Sequence, residues 1–189
     1  GLLQTRIRYV GIPIFLLGIA GMILAPRPDI LVTGDGKHLA LVTADGKLSL
    51  LRGKAGDFVR DMISEKAGSN AVATPIVEWP GARCTSDNCI ITMAAPNRTW
   101  TILATRTAYQ VPAMEMAAAC RRVDIVISDR WLPQSCRPKW IKADRGFLEQ
   151  TGGLAIYLAE QRVITVNENR AHMPWVQAAT GIMASIASV

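Results

Sequence analysis

The sequence predicts a mixed α/β domain preceded by one apolar helix, and three stretches carry that reading. Asp29 to Leu51 alternates short Ile, Leu and Val runs with Gly34-Asp35-Gly36 and Asp45-Gly46. Asp-Gly between apolar runs is a strong hairpin signal, because both central turn residues favour positive φ. Tyr9 to Ala25 contains no charged residue. Asp124 to Ser128, Asp-Ile-Val-Ile-Ser, is nearly all apolar, the mark of a strand covered on both faces.

The apolar stretch from Tyr9 to Ala25 is flanked by Arg6 and Arg8 before it and by Pro26-Arg27-Pro28 after it. A membrane span needs about 20 apolar residues, with a lower limit near 17. Pro13 sits in its first turn, where a missing N–H costs little, and Gly11, Gly18 and Gly21 suit close packing in lipid. Residues 1–26 therefore read as a transmembrane helix with a short cytoplasmic flank. The rivals are a signal-peptide core, which would want a small-x-small cleavage site, and a buried soluble helix. The leading arginines hold the amino end in the cytoplasm, which places the domain at 27–175 on the periplasmic side of an inner membrane, followed by a tail at 176–189. Gly1 stands where a gene product begins with methionine, so a fragment or a processed chain is expected.

Taken in order, Asp29 to Leu51 gives three short strands. The first turn is richer than a hairpin needs: two glycines around Asp35 let the backbone approach a neighbour, and His38 follows at once. Ala55 to Lys66 places Phe58, Val59, Met62 and Ile63 on one face and predicts an amphipathic helix stopped by Gly68. Ser69 to Gly81 reads as a loop with a short extended piece around Ile76 and Val77. Cys89 to Met93 and Thr99 to Ala104 form a second hairpin. Pro112 opens a helix that runs through a Met- and Ala-rich stretch to Cys120, with Arg121 and Arg122 complementing its dipole. Asp144 caps a helix ending at Gly152-Gly153, and Leu154 to Leu158 pairs with Arg162 to Val166 in a last hairpin.

Net charge of +6 and a pI near 9.5 favour an anionic partner, or serve plain solubility. The strand ending at Ser128 delivers Asp129, Arg130 and Trp131 to its carboxyl end, where open α/β sheets place ligands. With Gly34, Asp35, Gly36 and His38 these residues form the candidate cleft. Arg106, Arg130, Lys139, Lys142 and Arg145 are candidate contacts to DNA, with Trp131 and Trp140 as stacking platforms for single-stranded bases. The plain alternative is a solvated basic face over two core tryptophans. His38 and His172 are the two histidines, with no His-x-His or His-x-x-x-His pair, and no Gly-x-Ser-x-Gly elbow occurs, so no cofactor, resident metal or catalytic residue is expected. Asp35, Asp124 and Asp129 are oxygen ligands for a hard cation in the rival reading, and turn or strand-end residues in the preferred one.

Four cysteines in an exported domain read as disulfides, and the preferred pairing is Cys84 with Cys89 and Cys120 with Cys136. Three connectivities are open at this point, and a four-thiolate zinc site is the sharper alternative.

The ordered set Arg-Pro-Asp-Ile-Leu-Val-Thr-Gly-Asp-Gly-Lys-His, Ala-Gly-Asp-Phe-Val-Arg-Asp-Met, Leu-Ala-Thr-Arg, Asp-Ile-Val-Ile-Ser-Asp-Arg-Trp-Leu-Pro and Thr-Gly-Gly-Leu-Ala-Ile resembles the C-terminal part of ComEC-type competence proteins, in their alphaproteobacterial form. Those are the membrane channels through which bacteria take up DNA. The resemblance implies a metallo-β-lactamase-like αββα sandwich of mixed sheets. Val32-Thr33-Gly34-Asp35-Gly36-Lys37 stands where the family carries Asp-Val-Gly-Gln-Gly-Asp, matching its glycines but not its flanking acids. The family's His-x-His-x-Asp-His motif has no counterpart after Lys66, and Asp129-Arg130-Trp131-Leu132-Pro133 replaces its His-His-Gly-Ser loop. The expectation is a degenerate, non-catalytic domain that is structural or guides single-stranded DNA, alongside the remainder of the channel protein. The rival is a nuclease acting on the non-imported strand through a carboxylate metal site. Oligomeric state is not readable.

Overall fold

The computed structural model describes residues 5–24, 26–43, 45–52, 65, 73–107 and 111–171. In chain order these give α1 (Thr5–Leu24), β1 (Ile30–Thr33), β2 (Leu39–Val42), β3 (Leu48–Leu50) and β4 (Thr74–Pro75), then a 3-10 turn (Ile76–Glu78). Next come β5 (Ala82–Cys84), β6 (Asn88–Ala94), β7 (Thr99–Thr105), α2 (Ala113–Arg122) and β8 (Ile125–Ile127). The order closes with β9 (Ile141–Ala143), α3 (Arg145–Thr151), β10 (Gly153–Tyr157), β11 (Arg162–Thr165) and α4 (Val166–Ala171).

The strands form two mixed sheets. The first runs β11-β10-β1-β2-β3-β4 and the second β5-β6-β7-β8-β9. Within the first, the β1–β2–β3 meander is antiparallel, with Ile30 opposite Leu41 and Ala40 opposite Leu50. Its turns use Gly36 at φ +68° and Gly46 at φ +75°, the left-handed region that the Asp-Gly pairs signalled. In the second, β5, β6 and β7 are antiparallel, whereas β7–β8 and β8–β9 are parallel. The carboxyl ends of β7, β8 and β9 therefore lie at one edge of the molecule.

Alternation along the strands sorts side chains between layers. Ile30, Val32, Leu39 and Leu41 from the first sheet and Cys89, Ile91, Trp100, Ile102, Ile125 and Ile127 from the second share one buried cluster, so the sheets pack face to face. On the far side of the second sheet, Leu103 and Val126 are buried with Met116 and Cys120 of α2. That is why Asp-Ile-Val-Ile-Ser shows no polar alternation: Ile125 and Ile127 face the other sheet while Val126 faces a helix. Each such side chain buried contributes roughly 1.5–3 kcal/mol.

Several expectations need correction. No helix among the described residues is long and apolar enough to cross a membrane. The expected span does form as a helix, α1, but Arg6 and Arg8 lie inside it. Ile12, Ile14, Phe15, Leu16 and Leu17 of this helix are exposed. The extended piece expected at Ile76 and Val77 falls earlier, at Thr74–Pro75. Pro75 at φ −63°, ψ 141° ends the extended backbone, and a 3-10 turn follows. β5, β9 and α4 were not expected. The helix expected from Ala55 to Lys66 lies outside the described residues except Glu65, as do His172 and the tail beyond it.

Both preferred disulfides are present, Cys84–Cys89 and Cys120–Cys136. The first joins directly opposed residues of β5 and β6. The second fastens α2 to the loop after β8, the loop that carries Trp131.

Candidate functional site

The glycine-rich turn between β1 and β2 is built from inside. Thr33 N donates to His38 O at 3.0 Å, Gly36 N to Thr33 O at 2.9 Å, and His38 N to Thr33 Oγ1 at 3.2 Å. The Asp35 carboxylate accepts from the Thr33 hydroxyl and from Lys37 N at 3.0 Å. Burial pushes the Asp35 carboxyl up, but those two donors and the nearby His38 and Lys37 charges overcome it, so it lies below its ordinary value.

This turn docks onto the carboxyl end of β8. A Cβ at Gly36 would lie 3.0 Å from both Asp129 Cα and Ser128 O and 2.9 Å from Leu148 Cδ1. A Cβ at Gly34 would meet the Gly152 carbonyl at 2.8 Å. The glycines thus permit the close approach that the turn's composition suggested. Gly34, Asp35, Gly36 and His38 are brought to the same edge as Asp129, Arg130 and Trp131.

Asp129 is gripped rather than free. Arg52 Nη2 donates to its Oδ2 at 2.6 Å, and Thr105 Oγ1 lies 3.2 Å from its Oδ1 and 3.1 Å from Ser128 Oγ. Ser128 Oγ also accepts from Arg130 N at 3.1 Å, and Arg130 O accepts from Arg145 N at 3.1 Å. These bonds fix the backbone of the corner. The Arg130 guanidinium is another matter: its Nε and Nη2 are buried and have no hydrogen-bond partner among the described residues, and Arg52 Nε is in the same condition. Buried polar groups are nearly always paired, so three guanidinium nitrogens at one corner with no partner among the described residues point to an acceptor from outside.

Arg145 opens α3, which Asp144 caps by accepting from Phe147 N at 3.2 Å. Its exposed guanidinium donates to Glu149 Oε1 at 2.8 Å. The Glu149 hydrogen bond and charge, with the Asp129 charge further off, raise its pKa against a small opposing desolvation. Trp131 is 69% exposed and lies against Gly146, where a Cβ would strike its six-membered ring. Phe147, one residue on, is also exposed. An aromatic surface therefore borders the arginines.

The remaining candidates divide. Arg106 N and Nη1 donate to Asp87 O at 2.7 Å and Thr85 O at 3.0 Å, which ties it to the Cys84–Cys89 turn at the end of β7. Lys142 Nζ is occupied by Leu132 O at 3.2 Å, Pro133 O at 3.1 Å and Asp144 Oδ2 at 3.3 Å, so it shapes the Trp131 loop from behind. Lys139 N bonds Val123 O at 3.1 Å, at the amino end of β8 and away from the corner. Trp140 packs at a tilt of 43° against buried Trp100, with ring centroids 4.8 Å apart, a core role. Asp124 also sits at the amino end of β8, accepting from Thr101 N at 2.9 Å beside Arg98 at 3.5 Å. The three aspartates of the cation reading are therefore not gathered, and among the described residues no group of three or more His, Cys, Asp or Glu could hold a metal ion. Arg52 and Thr105 were missed from sequence. The chain matches no family model, no curated protein and no solved structure.

Proposed function

We propose that this chain is a non-catalytic, periplasm-facing module of a membrane DNA-uptake channel, a degenerate metallo-β-lactamase-like sandwich that guides single-stranded DNA across its carboxyl-end corner. The observation that carries the reading is the set of unpaired buried donors on Arg130 and Arg52 next to exposed Trp131. A buried donor without an acceptor costs about 1–3 kcal/mol, more when charged, and an outward turn of the guanidinium onto an anionic oxygen recovers it. Phosphate oxygens supply such acceptors while a base stacks on Trp131, the way single strands are held without sequence readout. Two disulfides support an oxidising compartment such as the periplasm. Attachment to the inner membrane rests on the resemblance, with the exposed apolar side chains of α1 as a surface for it. The carboxylates of the nuclease rival are engaged, Asp129 by Arg52 and Asp35 by Thr33 and Lys37.

The test is fluorescence anisotropy of a labelled oligothymidylate over a range of salt. Two phosphate contacts predict a log–log slope of about −1.4, and Arg130→Ala removes about 0.7 of it. Affinity that ignores salt points to a protein-only adaptor and sinks the proposal. Cleavage of the strand in Mg²⁺ or Mn²⁺, lost on Asp129→Ala, sinks it in favour of the nuclease.

A further inference from the structure

At the opposite end of β1 from the arginine corner lies a separate cavity of about 300 Å³, between the start of β1, the end of β6 and the β10–β11 turn. Trp79 and Tyr157 give it aromatic surface, Val42 and Met93 apolar surface, and Asp29 and Glu160 carboxylates. Each group is fixed. Trp79 Nε1 donates to Thr92 O at 3.3 Å, and Asp29 Oδ2 accepts from Leu158 N at 2.7 Å.

The charges are unevenly matched. Glu160 is held by Arg162 at 2.9 Å, and that guanidinium lies 4.4 Å over the Tyr157 ring. Asp29 has no such partner: no ion pair joins it to a cation among the described residues, and the Arg27 guanidinium on the cavity wall turns toward the Gly46 turn. Burial, and then the Glu160 charge, push the Asp29 carboxyl up. A cation placed beside Asp29 relieves both.

We propose that this cavity binds an organic cation, an ammonium or guanidinium group on a short apolar stem, paired with Asp29 and packed against Trp79 and Tyr157. The volume suits one amino-acid-sized group, at the small end of ligand pockets. Aromatic faces attract such cations, and Arg162 over Tyr157 shows this ring already doing so. The site is independent of the DNA reading and stands or falls separately.

The full chain is titrated calorimetrically with N-acetyl-arginine methyl ester, with N-acetyl-citrulline methyl ester as its uncharged counterpart, and with end-blocked Ala-Arg-Ala. The arginine ester binds, and the citrulline ester binds at least about tenfold more weakly. Asp29→Asn keeps an oxygen for Leu158 N–H, so it folds with a melting transition no lower than that of wild type but loses affinity by a similar factor. Glu160→Gln, on an exposed turn, weakens binding less. Tighter binding of the peptide supports a partner's side chain as the source of the cation, and binding of the ester alone supports a free small-molecule cation. Equal binding of the two esters, no binding of either, or wild-type affinity in Asp29→Asn overturns the site.

Discussion

At Gly36 the chain combines a φ of +68° with backbone contact to Ser128 and Asp129, so one residue joins the first hairpin to the corner. An alanine there meets a left-handed conformation and a neighbour at 3.0 Å. Gly36→Ala is expected to destabilise the domain by about 2 kcal/mol or more, measured by urea unfolding. The two perturbed aspartates act oppositely with pH. Asp35, depressed below its ordinary 3.8, contributes stability that is present above that value and is lost as pH falls through its folded value. Asp29, raised above 3.8, disfavours the folded state once ionised, so its penalty is absent below 3.8 and complete above its folded value. Asp29→Asn should therefore be more stable than wild type at about pH 7 and indistinguishable from it at about pH 3 in the same assay. At this scale the glycines and the Asp144 cap were legible because they answer to local backbone geometry. Arg52 was not, since it meets Asp129 across 77 residues and nothing local marks an arginine as the partner of a distant carboxylate.

Among the elements, β8 and the loop behind it position the site. Ile125 and Ile127 fix the strand in the shared core, and Cys120–Cys136 holds the Trp131 loop to α2. Replacing both cysteines by alanine removes a crosslink spanning 16 residues, worth about 3 kcal/mol by loop closure, and unfolding of the variant should show a loss of that order. If stability is unchanged, the loop is held by Lys142 and its carbonyl contacts instead. The hairpins and α2 could be read because Asp-Gly, Pro and apolar alternation are strong signals. β9 and β5 have three residues each, too few to show a period, and exist because a neighbouring strand presents an edge. α1 forms where the uncharged run lies, yet no helix among the described residues is long and apolar enough to cross a membrane.

For the molecule as a whole, the two ends of the sandwich differ in character. One end gathers Arg52, Arg130 and Arg145 beside Trp131 and Phe147, and the other sets Asp29 and Glu160 between Trp79 and Tyr157. The mixed α/β class was legible in the alternation of strand and helix signals, whereas the two mixed sheets were expected only from the resemblance. The convergence of the first turn with the end of β8 was legible only as an expectation, because it depends on how the two sheets face each other. That convergence is what gives the basic residues a common surface. The most direct test follows the tryptophan indole N–H resonances of the intact protein during titration with oligothymidylate. The Trp131 signal should shift with added DNA while those of Trp100, Trp140 and Trp79 stay in place. Shifts confined to Trp79, at the acidic end, or a Trp131 signal that never moves at saturating oligonucleotide, would contradict the account.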